Sequence, residues 1–310
     1  MKLEKVKRIL ENYNIDDIIK YQRLPHGFAN RNYKLITSKS NYLFRINIQQ
    51  DLSLIKYEMR VLDELKKIDF PTAYPIVRKD GRYITELDSE NVIIYDFVEG
   101  EIPRIKEQTV KEIATAVARL NSYPNWQRFE RKNAINIKNC FELIGKFDSA
   151  KYKYPKIFEY FIEQTEFLKK YLQSSVPRGL IHADIFPDNT VFNGDKLAAI
   201  LDFEDVCTDN LIFEIGMAIN GFCFINNELS NIFLKVFISN YNKVRPISKI
   251  ELDLLPIYIQ WTAHGMVSWH LQRLIDRKND RQLARTIELM ERVKEIRKIS
   301  EWGFFFLLFI

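Results

Sequence analysis

The sequence has 310 residues, 46% hydrophobic and 28% charged, enough apolar mass for one or two packed domains. Its 22 Phe, 15 Tyr and 4 Trp exclude a disordered chain. The net charge of +5 is spread over 46 basic and 41 acidic residues with no Lys/Arg block, which speaks against a nucleic-acid arm and suits a small anionic ligand.

Cys140, Cys207 and Cys223 are odd in number and widely spaced, so they offer neither a disulfide framework nor a metal spacing. The N-terminal MKLEKVKRILENYNI is amphipathic and lacks the apolar core and cleavage site of a signal peptide, so a cytoplasmic enzyme is expected. A strand, a Gly-containing turn and a second strand are predicted across YQRLPHGFANRNYKLIT. NYLFRINI alternates, with Tyr42, Phe44, Ile46 and Ile48 on one face and Leu43, Arg45 and Asn47 on the other. SLIKYEMRVLDELKKI has a helical period, and VRKDGRYITEL predicts a hairpin on Asp80-Gly81. NVIIYDFV reads as a buried strand ending at EGEIP, where Gly100 and Pro103 mark a hinge. From TVKEIATAVARLNSY onward the pattern is mostly helical, broken near 180–202 by two short apolar strands. The apolar WGFFFLLFI at the end is far shorter than the roughly 20 residues that span a bilayer and reads as a docking tail. The expectation is an α+β chain: a small β-rich lobe with one main helix at 1–98 and a larger, mostly helical lobe at 99–310, with a crevice at their junction.

The chemistry concentrates in GLIHADIFPDNTVF. His182, Asp184 and Asn189 are followed by Asp202 at the end of KLAAILDFED. Kinase-type phosphoryl transfer needs a carboxylate at the attacking hydroxyl, an Asn amide oxygen on a metal ion, and a second Asp on the metal that bridges the phosphates. At about 5% usage per residue, H-x-D-x4-N arises by chance about once in 8,000 windows. The additional Asp202-Phe203 is what raises it above a coincidence. The runs GLI and AAILDF are expected to form one ribbon that brings both acids to the same end. The plainer alternative is that Asp184 and Asn189 only shape a turn around Pro187.

HADIFPDN followed by ILDFEDVCTDNLIFEIGMAINGFCF resembles the aminoglycoside-phosphotransferase/choline-kinase superfamily and, within it, the homoserine kinases of that type. The resemblance runs from GFANRNYKL to about residue 276. It implies a protein-kinase-like bilobal fold, ATP as donor and Mg²⁺ as cofactor, acting on a small hydroxyl-bearing substrate as a monomer or homodimer. By the same resemblance Asp184 matches the catalytic base, Asn189 and Asp202 the metal ligands, and His182 a residue that brace the loop. Asp209 and Glu214 match family acids near the loop, with Glu at 214 in place of the usual Asp.

The N-terminal half is expected to grip the phosphates. Gly27 and Asn30 of GFANRNY lie in a turn whose backbone N–H groups could meet phosphate oxygens, although an ordinary hairpin turn explains it equally well. Arg45 lies on the face expected to meet the nucleotide, and Phe97 is counted among the nucleotide-binding positions. Glu58 sits in the stripe of Leu54, Ile55, Leu62 and Leu65. A buried carboxylate needs a partner, and Arg45 is the expected one. The family has Lys at 45. Arg preserves the charge but not the geometry. Glu204, in DFE, is a candidate substrate or second metal-facing group.

For the acceptor, YIQWTAHGMVSWHLQRLID offers Trp261, His264, Trp269 and Arg273. Arg273 suits a carboxylate such as that of homoserine, whereas the two Trp suit an ammonium, which keeps choline or ethanolamine open alongside aminoglycosides. Core packing of Trp261, Trp269 and His264 is the simpler alternative. A nucleotide-binding pseudokinase is a further reading, resting on Arg45 alone.

Overall fold

The computed structural model describes residues 3–24, 30–48, 50–87, 90–146, 153–172, 175–277 and 280–302. Gly27 and the tail from 303 onward lie outside these. The chain divides into two compact units, one of Met1–Glu101 with Val191–Gly194 and Ala198–Glu204, the other of Ile102–Thr190 with Asp195–Leu197 and Asp205–Ile310.

The first unit is built on β1 (Ile18–Arg23), β2 (Arg31–Thr37), β3 (Asn41–Asn47), β4 (Thr85–Leu87) and β5 (Glu90–Asp96). They form one antiparallel sheet in the order β1-β2-β3-β5-β4. The period-2 pattern decides its faces. Tyr33 and Leu35, Phe44 and Ile46, Val92 and Ile94 all point the same way and bury against Val6, Ile9 and Leu10 of α1 (Leu3–Leu10). Ile48, beyond the end of β3, is exposed. The opposite face carries Arg45 beside Ile93, in register across the β3–β5 ladder. α2 (Leu52–Lys66) starts at Asp51, whose carboxylate accepts the N–H groups of Ser53 and Leu54. Its stripe is buried at Ile55, Glu58, Leu62 and Leu65.

Two predicted hairpins are corrected. The Asp80-Gly81 turn forms, with Gly81 N–H donating to the Arg78 carbonyl at 3.0 Å and Asp80 pairing with both Arg78 and Arg82. Among the described residues no ladder flanks it beyond the Arg78 N–H to the Arg82 carbonyl at 2.8 Å, and the strands that pair are β4 and β5. The ribbon expected from GLI and AAILDF does not form either. β6 (Arg178–Ile181) pairs with β9 (Cys207–Asn210), whereas β7 (Thr190–Asn193) pairs with β8 (Lys196–Ile200). Gly194-Asp195, with Gly194 at φ +61°, is the two-residue turn that joins β7 to β8. Gly100 marks a close approach: a Cβ there would lie 2.4 Å from the Phe192 carbonyl oxygen, at φ +146°. Only glycine fits that contact.

The second unit is helical: α3 (Glu107–Asn121), α4 (Ile137–Gly145), α5 (Pro155–Lys169), α6 (Leu211–Phe222), α7 (Asn231–Val244), α8 (Lys249–Arg277) and α9 (Asp280–Trp302), with the short pair β10 (Phe224–Ile225) and β11 (Glu228–Leu229). α6 is apolar nearly all round and buried on every side, the pattern of a central helix. α8 packs on α6 and α9, and α3 on α7. Among the described residues no helix is long and apolar enough to cross a membrane.

Candidate active site

In the second unit the loop after β6 is held from beneath by α6. The backbone N–H groups of His182 and Ala183 donate to the two carboxylate oxygens of Glu214 at 2.7 and 3.0 Å. Glu214 is completely buried, and burial pushes its carboxyl up to about 7 against the opposing pull of the two amides. The His182 Nδ1 accepts the Asp184 N–H at 3.2 Å, so the buried imidazole braces the loop. Between them Ala183 has φ +70°, a conformation that a non-glycine residue adopts only when its surroundings enforce it. Pro187 starts a short turn that brings Asn189 back toward Asp184. The Asn189 Nδ2 donates to the Asp184 carbonyl at 2.9 Å and to its carboxylate at 2.7 Å. This commits the amide nitrogen and leaves the amide oxygen as a donor for a cation.

Gly221 of α6 completes the support. A Cβ there would lie 2.6 Å from the Ile185 carbonyl oxygen and 3.3 Å from the Phe186 Cα. Gly221→Ala is expected to displace the loop and lower kcat about 10- to 100-fold, with the far-UV circular dichroism unchanged. Steady-state kinetics on the folded variant check this. Asp209 lies on β9 opposite Gly179, accepting from Asn133 Nδ2 at 2.8 Å, and burial raises its carboxyl.

In the first unit Arg45 is the centre of a second group. Its Nη1 donates to the Asp202 carboxylate at 3.0 Å, and its guanidinium lies 5.4 Å from the Tyr95 ring centroid. Burial alone would lower the Arg45 pKa, but Asp202, Tyr95, Glu58 and Glu204 outweigh it and raise the pKa. Glu58, the expected partner, is among the charges that raise the Arg45 pKa. Arg45 pairs with Asp202, and Glu58 accepts the Tyr95 hydroxyl at 3.2 Å, so Tyr95 touches both members of the expected pair. The Arg45 Nε is buried without a hydrogen-bond partner, leaving donor capacity that suits an anion. Asp202 has φ +65°, and Phe203 anchors it edge-on against Phe70 at 6.0 Å. Asn30 Nδ2 donates to Glu204 at 2.8 Å and its Oδ1 accepts the Ile48 N–H, so the end of the turn after β1 is tied to DFE. Phe97 is covered by Lys34, whose Nζ lies 3.9 Å from its ring.

The α8 candidates separate. Trp261 and His264 are buried. His264 stacks on Phe161 at 4.5 Å and its Nε2 meets the Thr165 hydroxyl at 2.8 Å. Burial lowers its pKa to about 3, so it stays neutral as a packing residue. Trp269 is half-buried, with the Arg273 guanidinium 3.2 Å from its ring centroid. The two Trp therefore form no joint aromatic face, because eight residues overshoot two helical turns by about 80°.

Tyr95 was absent from the sequence expectation. Its signal was parity: Val92 and Ile94 face α1, so Ile93 and Tyr95 must share the face of Arg45, where a buried hydroxyl needs a partner.

Chemically, the donors are amide and carboxylate oxygens, suited to a hard cation. Among the described residues no three His, Cys, Asp or Glu side chains form a closed metal cage. Mg²⁺ takes carboxylate and amide oxygens, typically one or two from the protein together with phosphate oxygens and water.

Comparison with known proteins gives the family and the fold. A homoserine kinase of Agrobacterium fabrum is 25% identical over 277 residues, covering 88% of this chain and 85% of its own. A microcompartment-associated aminopropanol kinase superposes with a TM-score of 0.77 at 16% identity, over 97% of this chain and 98% of that one. An amicoumacin kinase solved with AMP-PNP and Ca²⁺ gives 0.74 at 14% identity, over 95% and 94%. These structures share the protein-kinase-like α+β fold. The model of the phosphotransferase enzyme family matches residues 20–246, and the chain belongs to that family.

Proposed function

We propose that this protein transfers the γ-phosphoryl group of ATP to the hydroxyl of a small acceptor, homoserine being the acceptor expected. The observation that carries the reading is the Asp184–Asn189 pair on a loop clamped by Glu214, as phosphoryl transfer requires. The acceptor oxygen forms its bond to the γ-phosphorus as the bond from that phosphorus to the bridging oxygen of ADP breaks. Asp184 orients the hydroxyl and receives its proton. Arg45 holds phosphate oxygens, with Asp202 and Asn189 as ligands for Mg²⁺, which neutralises charge on the phosphates when bound. Glu58 and Tyr95 position Arg45. In this reading residues 1–98 bind nucleotide and 99–310 hold base and acceptor, in the cytoplasm where ATP is available.

A coupled ADP-release screen over homoserine, choline, ethanolamine, 1-amino-2-propanol, methylthioribose and aminoglycosides tests it. Homoserine-dependent, Mg²⁺-dependent release is expected. Release with none of these acceptors overturns it. Arg45→Met is expected to raise KM for MgATP about 10- to 100-fold, the loss of a charge-assisted donor, as initial rates at varied ATP would show.

A further inference from the structure

The first unit holds a cavity of about 400 Å³ lined by Arg8, Ile9 and Asn12 and by Arg78, Arg82 and Glu86. Ile9 packs in the core with Phe44 and Ile46, so the cavity lies on the α1 side of the sheet, and Arg45 is on the other side. The two segments that line it are tied together. The Lys79 N–H donates to the Asn12 carbonyl at 2.8 Å, and the Tyr13 hydroxyl meets the Thr85 hydroxyl at 3.0 Å. Arg78 donates to that same Thr85 hydroxyl at 2.9 Å and to the Ile84 carbonyl at 3.1 Å, with only 9% of its side chain exposed.

The guanidiniums outnumber the acids described beside them. Arg78 and Arg82 each close a fork on the one carboxylate of Asp80. Asp80 first, and Glu86 after it, raise the Arg82 pKa. Among the described residues the Arg8 guanidinium makes no hydrogen bond or ion pair. Glu86 is exposed, so solvent screens it from an anion bound in the cavity.

We propose that this cavity binds the phosphate group of a small metabolite, with Arg8 and Arg82 closing on it beside the fixed Arg78. A tetrahedral phosphate presents oxygens in several directions and takes forks from separate segments, whereas a carboxylate is filled by one or two in its own plane. The volume falls in the range of roughly 300–1,000 Å³ common to small-molecule sites, which leaves room for the organic part of the ligand. The site stands independently of the phosphotransfer reading, since Arg45 lies on the opposite face of the sheet.

Calorimetric titration with glycerol 3-phosphate at constant ionic strength tests this on the full-length protein, Arg8→Ala, Arg82→Ala and Arg45→Met. Arg8 and Arg82 are exposed, so their removal leaves the fold intact, as far-UV circular dichroism would verify. Arg78 is built into the fold and is left unchanged. Arg8→Ala and Arg82→Ala should each weaken binding about 10- to 100-fold, the loss of a charge-assisted donor, with KM for MgATP unaltered. Binding should survive in Arg45→Met, and acetate should give no comparable heat. Absence of binding overturns the proposal. So does binding that is lost in Arg45→Met and kept in Arg8→Ala, because the anion then sits at Arg45. Acetate binding as tightly as glycerol 3-phosphate overturns the assignment to phosphate.

Discussion

Asp184→Asn is expected to lower turnover about 10²- to 10⁴-fold while MgATP binding survives. The substitution preserves shape and one acceptor oxygen but removes the charge that orients and deprotonates the attacking hydroxyl. It leaves the supports of the loop in place, because Glu214 grips backbone amides and His182 accepts a backbone N–H. Single-turnover phosphotransfer and a nucleotide titration separate the two effects. Undiminished turnover would remove Asp184 from the mechanism. Loss of nucleotide binding together with turnover would point to collapse of the loop instead.

Glu214→Ala is expected to destabilise the fold by about 2–6 kcal/mol, since two buried amides each lose an acceptor worth about 1–3 kcal/mol. Chemical denaturation measures this. A pH signature distinguishes the carboxylate from mere packing. Burial raises the folded pKa of Glu214 to about 7, above its ordinary 4.5, so the native state binds the proton more tightly than the unfolded chain. The resulting contribution is fully present below pH 4.5 and is lost as pH rises to about 7. Its size is about 3 kcal/mol. Relative to Glu214→Gln, which cannot titrate, the unchanged protein should therefore lose stability across that interval. Parallel stability curves for the two would show that the carboxylate does not titrate in the native state.

The alternation of β3 was enough to put Arg45 and Phe44 on opposite faces, and the period of α2 was enough to bury Glu58, because both patterns are local properties of the backbone. The order of Asp184, Asn189 and Asp202 along the chain, with a proline turn inside it, was likewise legible without a fold, and it is the pattern on which the proposed chemistry rests. Which strand pairs with which was not local. GLI joined β9 rather than AAILDF, whose own partner was set by a two-residue turn after Asn193. That Arg45 pairs with Asp202, 157 residues along the chain, depended on packing between distant segments, which no spacing encodes.

What the sequence by itself determined is therefore the class of elements, the faces of the strands, and the identity and order of the acids. Only the tertiary structure decided that Tyr95 links Glu58 to Arg45, that Trp261 and His264 are core, and that Arg8, Arg78 and Arg82 line one cavity. Periodicity fixes which way a side chain points from its own backbone. What it then meets is fixed by packing between segments tens to hundreds of residues apart.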